Sequence, residues 1–132
     1  MAASRLLPLA LATATALAGT AQDALVLGQP APPVTVTHYL ANVPADTARA
    51  DQPLVLEFWA TWCGPCIAAV PHLNDLHAAY ATQGVDFLSL TCESPAVVER
   101  LLRRVAFATP MATDTTEAAS AAYGDGRGEG VR

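Results

Sequence analysis

The chain has no lysine. All seven of its cations are arginine, against twelve acids, for a formal net charge of -5. No run of basic residues occurs, so nothing in the sequence supports nucleic-acid binding. Cysteine is scarce as well, at three residues in 132, which excludes a small disulfide-stapled scaffold. Two of the three are spaced Cys63-x-x-Cys66, and Cys92 stands alone. A c-type haem site would require histidine directly after the second cysteine, where the chain has Ile67. A zinc site would need two further ligands at suitable spacing. His72 and His77 follow in the same helical stretch but five residues apart, so they do not share a face and cannot close a tetrahedron with the cysteines. No metal or other cofactor is expected. The longest apolar stretch, Leu6–Ala18, is shorter than the ~20 residues that cross a bilayer.

That stretch carries another message. Arg5 precedes it, and Ala16, Ala18, Gly19 and Ala21 follow or end it. A positive start, an apolar centre and a small-residue exit describe a secretory signal peptide over residues 1–21, cleaved after Ala18 or Ala21. Thr20 stands where a lipoprotein signal needs cysteine, so no lipid anchor is expected. Export would place the chain in an oxidising compartment, where disulfides persist.

The remainder has room for one domain, over residues 22–123, followed by a Gly-rich tail, 124–132, with no core pattern. After a proline-rich lead-in, Val34–Leu40 alternates apolar and polar and predicts a strand. His38 within it reads as a surface residue. Residues 41–52 read as a loop. Leu54–Trp59 is a near-continuous apolar run, the mark of a parallel strand buried on both faces. A helix follows, with Pro65 in its first turn, Pro71 as a kink and Gly84 as its stop. Val85–Thr91 is the next strand. Ser94-Pro95 opens a second helix whose apolar face is Val97, Val98, Leu101, Leu102 and Val105, with Arg100, Arg103 and Arg104 solvated. Pro110–Thr113 predicts a short strand. Asp114-Thr115-Thr116-Glu117 has capping-box spacing and predicts a helix to Tyr123. Strands alternating with helices predict a partly parallel α/β sheet with helices on both faces.

The chemistry is concentrated at Cys63-Gly64-Pro65-Cys66. A thiolate is the nucleophile, and its pKa falls at a helix N-terminus, where unpaired N–H groups and the helix dipole favour negative charge. Cys63 at the N-cap would attack a substrate disulfide, and Cys66, one turn in, would resolve the mixed disulfide. Trp62, Gly64 and Pro65 form the active-site turn. Glu57, in a buried apolar strand, should have a raised pKa and could accept the proton of Cys66; the bland alternative turns it to solvent or pairs it with an arginine. Cys92 follows a parallel strand at the end where sites gather, although an inert half-buried thiol is the simpler reading.

Phe58-Trp59-Ala60-Thr61-Trp62-Cys63-Gly64-Pro65-Cys66 resembles the active site of the thioredoxin superfamily. The lead-in Gly28-Gln29-Pro30-Ala31-Pro32 and the continuation Val70-Pro71-His72-Leu73 resemble its exported TlpA/ResA-like branch. The resemblance implies a thioredoxin-like fold and thiol–disulfide exchange, as a reductase, with protein disulfide or dithiol substrates and a membrane or periplasmic redox partner, through a redox-active Cys63–Cys66 disulfide. It places Glu57 at the buried acid of thioredoxin and Ala69 where ResA-like members carry a glutamate. It also implies a proline loop, a C-terminal β-hairpin and a final helix that this sequence does not contain, which would leave one edge of strand 54–59 open with apolar side chains exposed. The alternative reading is therefore a non-catalytic, truncated thioredoxin-like remnant or binding module. A thiol peroxidase is a weaker reading, since sites resembling that family carry Thr where this chain has Ala60.

Overall fold

A computed structural model describes residues 27–45 and 51–124. The predicted signal segment and the tail after Gly124 lie outside them. Among the described residues no helix is long and apolar enough to cross a membrane.

The elements run in the predicted order: β1 His38–Ala41, β2 Leu54–Phe58, α1 Gly64–Tyr80, β3 Asp86–Thr91, α2 Pro95–Leu102, β4 Met111–Thr113 and α3 Ala118–Tyr123. The four strands form one sheet in the order β1-β4-β3-β2. β2, β3 and β4 are parallel, and β1 joins β4 antiparallel. The crossovers β2-α1-β3 and β3-α2-β4 step the same way across the sheet. With the same right hand they lay α1 and α2 on one face. The packing agrees. Val70 of α1 and Val98 of α2 share a cluster with Trp59, Phe107 and Met111. On the opposite face Ala119 of α3 packs with Leu88, Leu90 and Ala112, and Val34, Val36, Leu56 and Phe58 close around them. Helices cover both faces, as the α/β reading expected.

Local sequence explains most boundaries. α1 passes through Pro71 without ending; a turn of 3-10 helix, Ala81–Gln83, then leads to Gly84 at φ 85°. That left-handed conformation favours glycine, and a Cβ there would lie 2.8 Å from the Gln52 side chain. Ser94 caps α2 in extended conformation ahead of Pro95, without a side-chain hydrogen bond.

Four expectations need correction. β1 starts at His38 rather than Val34, because its partner β4 is only three residues long. Thr37 still donates its N–H to the Thr113 carbonyl at 2.8 Å, and Val34 and Val36 pack on the core without a ladder. β2 is not buried on both faces: among the described residues it pairs with β3 alone, and Leu54 and Val55 are 43% and 40% exposed. Val97 faces outward on α2, where Val98 is fully buried. The reciprocal capping box does not form either. Asp114 accepts from Thr116 N at 3.0 Å and Ala119 N at 2.8 Å. The backbone then turns left-handed at Glu117, φ 60°, and α3 begins only at Ala118. Burial alone would raise the Asp114 carboxyl, but the bonds from Ala119 and Thr116 outweigh it and hold the group below its ordinary range.

Candidate active site

β2 ends as its ladder does: Trp59 N donates to Leu90 O at 3.1 Å. Ala60 is buried, and Cys63 N returns to Ala60 O at 3.0 Å. The segment 60–63 is thus a tight turn with Thr61 and Trp62 at its centre. Trp62 is 75% exposed. Cys63 leaves the turn in extended conformation and is the N-cap of α1, its sulfur accepting from Cys66 N at 3.3 Å. Cys63 and Cys66 are joined in a disulfide with 5.3 Å between their Cα atoms. Both are half-buried. Cys66, with Ile67, packs against the cluster around Trp59 and Val98. Gly64 and Pro65 are exposed in the first turn. A Cβ at Gly64 would meet nothing within 4 Å, so the fold does not require glycine there; its effect is to leave open surface beside the sulfurs.

Glu57 lies on β2 opposite Ser89 of β3, on the sheet face that carries α1. It is half-buried, and its hydrogen bond comes from the Ser89 hydroxyl at 2.8 Å, neither from solvent alone nor from an arginine. With its proton directed at Glu57, the Ser89 oxygen accepts from the Thr109 hydroxyl at 2.8 Å, and both residues are essentially inaccessible. Desolvation raises the Glu57 carboxyl above its ordinary value, the Ser89 bond pulling the other way.

Cys92 forms no disulfide and is half-buried. It lines a small, half-open depression with Phe58, Trp59, Asp114 and Ser120 at the C-terminal ends of β2 and β3. His77 is an ordinary helix residue, edge-on to Phe87 at 5.2 Å, and His38 is exposed. Among the described residues no group of three or more His, Cys, Asp or Glu is placed to hold a metal.

One participant is invisible in the sequence. Glu93, two residues beyond β3, accepts from Thr61 N at 2.6 Å and from Thr61 Oγ1 at 2.7 Å. No spacing rule links residues 61 and 93. The available signal was position alone: an acid just past the C-terminal end of a parallel strand, where α/β sites gather.

Comparison with known proteins places this geometry. The chain is 31% identical over 108 residues to the thiol-disulfide oxidoreductase ResA of Geobacillus thermodenitrificans, covering 81% of this chain and 62% of that protein. It is 29% identical over 108 residues to ResA of Geobacillus kaustophilus, with the same coverage. The chain therefore spans about three-fifths of the length of these curated relatives. Among solved structures, a Chlorobium tepidum protein assigned as the thiol:disulfide interchange protein DsbE superposes with a TM-score of 0.52 at 27% identity, over 55% of this chain and 52% of that one. The fold is thioredoxin-like. Residues 27–130 match the AhpC/TSA family, and with four-fifths of its length aligned to ResA proteins the chain belongs to that family.

Proposed function

We propose that this protein is an exported thiol–disulfide oxidoreductase that reduces protein disulfides through Cys63 and Cys66. The observation that carries the reading is the disulfide itself, seated at the N-cap of a seventeen-residue helix beside an exposed tryptophan. In the reduced protein the Cys63 thiolate attacks one sulfur of a substrate disulfide. A bond forms from Cys63 Sγ to that sulfur, and the other substrate sulfur leaves as a thiolate. Cys66, deprotonated, then attacks Cys63 Sγ, releases the second substrate thiolate and closes the Cys63–Cys66 disulfide. Two electrons pass from the dithiol to the substrate. A membrane or periplasmic dithiol partner would return them. Reduction of insulin disulfides, with Cys63→Ser as control, tests the reading. Equal turnover by both proteins would leave the binding-module alternative. Export is read from the mature N-terminus, expected at Gly19 or Gln22; an intact Met1 in protein recovered from the periplasm would contradict cleavage.

Glu57 is the proposed acceptor of the Cys66 proton. A carboxyl raised by desolvation is closer in pKa to a thiol and better matched for that transfer. Glu57→Gln should prolong the mixed-disulfide lifetime by about a hundredfold, the lower end of what a single general base contributes, while Cys63 alkylation stays near the wild-type rate. An unchanged lifetime would remove the role. Stability offers a second readout. An acid whose folded pKa is raised binds its proton more tightly in the folded state. Its contribution is full below the unfolded value near 4.3 and is lost as pH rises through the raised folded value. Glu57→Gln should remove that loss, so the variant melts less pH-dependently in this window.

A further inference from the structure

We propose that Glu93 is the positioning residue for Cys63: from the exit of β3 it holds the turn that delivers the cysteine to α1, and thereby sets the reactivity of the thiol. The proposal rests on Cys63 being the nucleophile, and it adds a residue that neither the cysteine spacing nor the strand pattern identifies.

The turn 60–63 closes with one backbone bond, Cys63 N to Ala60 O. The N–H of its first central residue, Thr61, has no acceptor within the turn. Glu93 supplies one, Oε2 to Thr61 N at 2.6 Å, and its other oxygen takes the Thr61 hydroxyl at 2.7 Å. Two bonds from one carboxylate to one residue fix orientation as well as distance. The clamp is itself anchored. Glu93 N donates to Thr91 Oγ1 at 3.3 Å, and the Glu93 carbonyl accepts from the Thr113 hydroxyl. Thr91 and Thr113 are buried at the ends of β3 and β4. A continuous set of side-chain bonds therefore runs from β4, past β3, to the residue two positions before Cys63.

A carboxylate bonded to Thr61, two residues before a cysteine that must ionise, is a costly choice, because negative charge in the vicinity disfavours the thiolate. Its advantage is geometric. The Thr61 N–H needs an acceptor, and the two coplanar oxygens of Glu93 reach it and the Thr61 hydroxyl together. The function assigned to Glu93 is thus to keep the Cys63 sulfur at the α1 N-terminus, where helix N–H groups stabilise it.

The two effects of Glu93, position and charge, act on the thiol in opposite directions, so they can be told apart. The experiment is the pH profile of Cys63 alkylation by iodoacetamide in the reduced full chain, with Cys63 resolved from Cys66 and Cys92 by peptide mapping. Glu93→Ala should displace the profile to higher pH and slow alkylation at pH 7 about tenfold, the change in thiolate fraction for one pKa unit. Glu93→Gln, which retains an oxygen for Thr61 N and an amide that can donate to the Thr61 hydroxyl, should stay within about twofold of wild type. Thr61→Ala, which keeps the charge and loses half the clamp, should fall between them and carries the test if Glu93→Ala does not fold. A Glu93→Ala profile that is unmoved, displaced to lower pH, or matched by Glu93→Gln overturns the proposal, as does an unmoved Thr61→Ala. A wild-type Cys63 that titrates as an ordinary exposed thiol would instead overturn the nucleophile reading itself.

Discussion

Cys63→Ser is expected to abolish disulfide reduction, and Cys66→Ser to halt it one step later. A serine hydroxyl at the α1 N-cap can accept the same backbone bond that the sulfur takes from Cys66 N, so the helix start should survive. What is lost is the nucleophile. A hydroxyl is not appreciably ionised at neutral pH and cannot exchange with a disulfide, whereas the thiolate is the reactive species. Turnover of insulin should drop at least about a thousandfold, as when an enzyme loses the nucleophile of a cooperating set. With Cys66→Ser the first attack remains possible. The substrate should then accumulate as a covalent adduct at Cys63, seen as a shifted band on a non-reducing gel and dissolved by dithiothreitol. The different fates follow from the structure: Cys63 caps α1 directly after the exposed Trp62, while Cys66 packs on the core. Adduct formation at Cys66 in a Cys63→Ser protein, at the same rate, would reverse the assignment.

The largest stability effect is expected at Leu90. This residue is 1% exposed, lies on β3 between β2 and β4, and packs with Leu88, Ala112 and Ala119 beneath α3. Replacement by alanine removes buried methyl groups and leaves a cavity that two paired neighbouring strands cannot easily collapse to fill. A loss of about 3 kcal/mol is expected, from the general range for buried leucine. Domains of this size are stabilised by roughly 5–15 kcal/mol. The melting temperature, followed with the disulfide kept oxidised, should fall by about 10–20 °C. Val97→Ala on α2, at a side chain that is 37% exposed, is the control and should change it little. Equal small shifts for both would mean that the face beneath α3 is not a packed core.

The sequence disclosed the elements whose limits are local. The run Leu54–Phe58, the Ser94-Pro95 start and the Gly84 stop each carry their signal within a few residues. Features set by distant partners were hidden. β1 is short because β4 is short, and the two are at least seventy residues apart in the chain. The exposure of Leu54 and Val55 reflects a strand with a single neighbour among the described residues, the open edge that the family resemblance implies and the apolar pattern alone does not. The capping-box spacing of Asp114–Glu117 places the helix start too early: Asp114 bonds Thr116 and Ala119 instead, and α3 starts only after Glu117. The site divides in the same way. Cys63 and Cys66 announce themselves by spacing, while the Glu57–Ser89–Thr109 and Thr61–Glu93 contacts exist only once β2 and β3 lie side by side.

The rim around the cysteines is assembled from three successive strand exits: Thr61 after β2, Glu93 after β3 and Thr113 at the end of β4. Residues at strand exits can be exchanged without changing which side chains fill the sheet. Natural variation could therefore retune the chemistry of such a rim while the scaffold beneath stays constant. The exception is the buried hydroxyl of Thr113, which serves both, and a change there would alter scaffold and chemistry together.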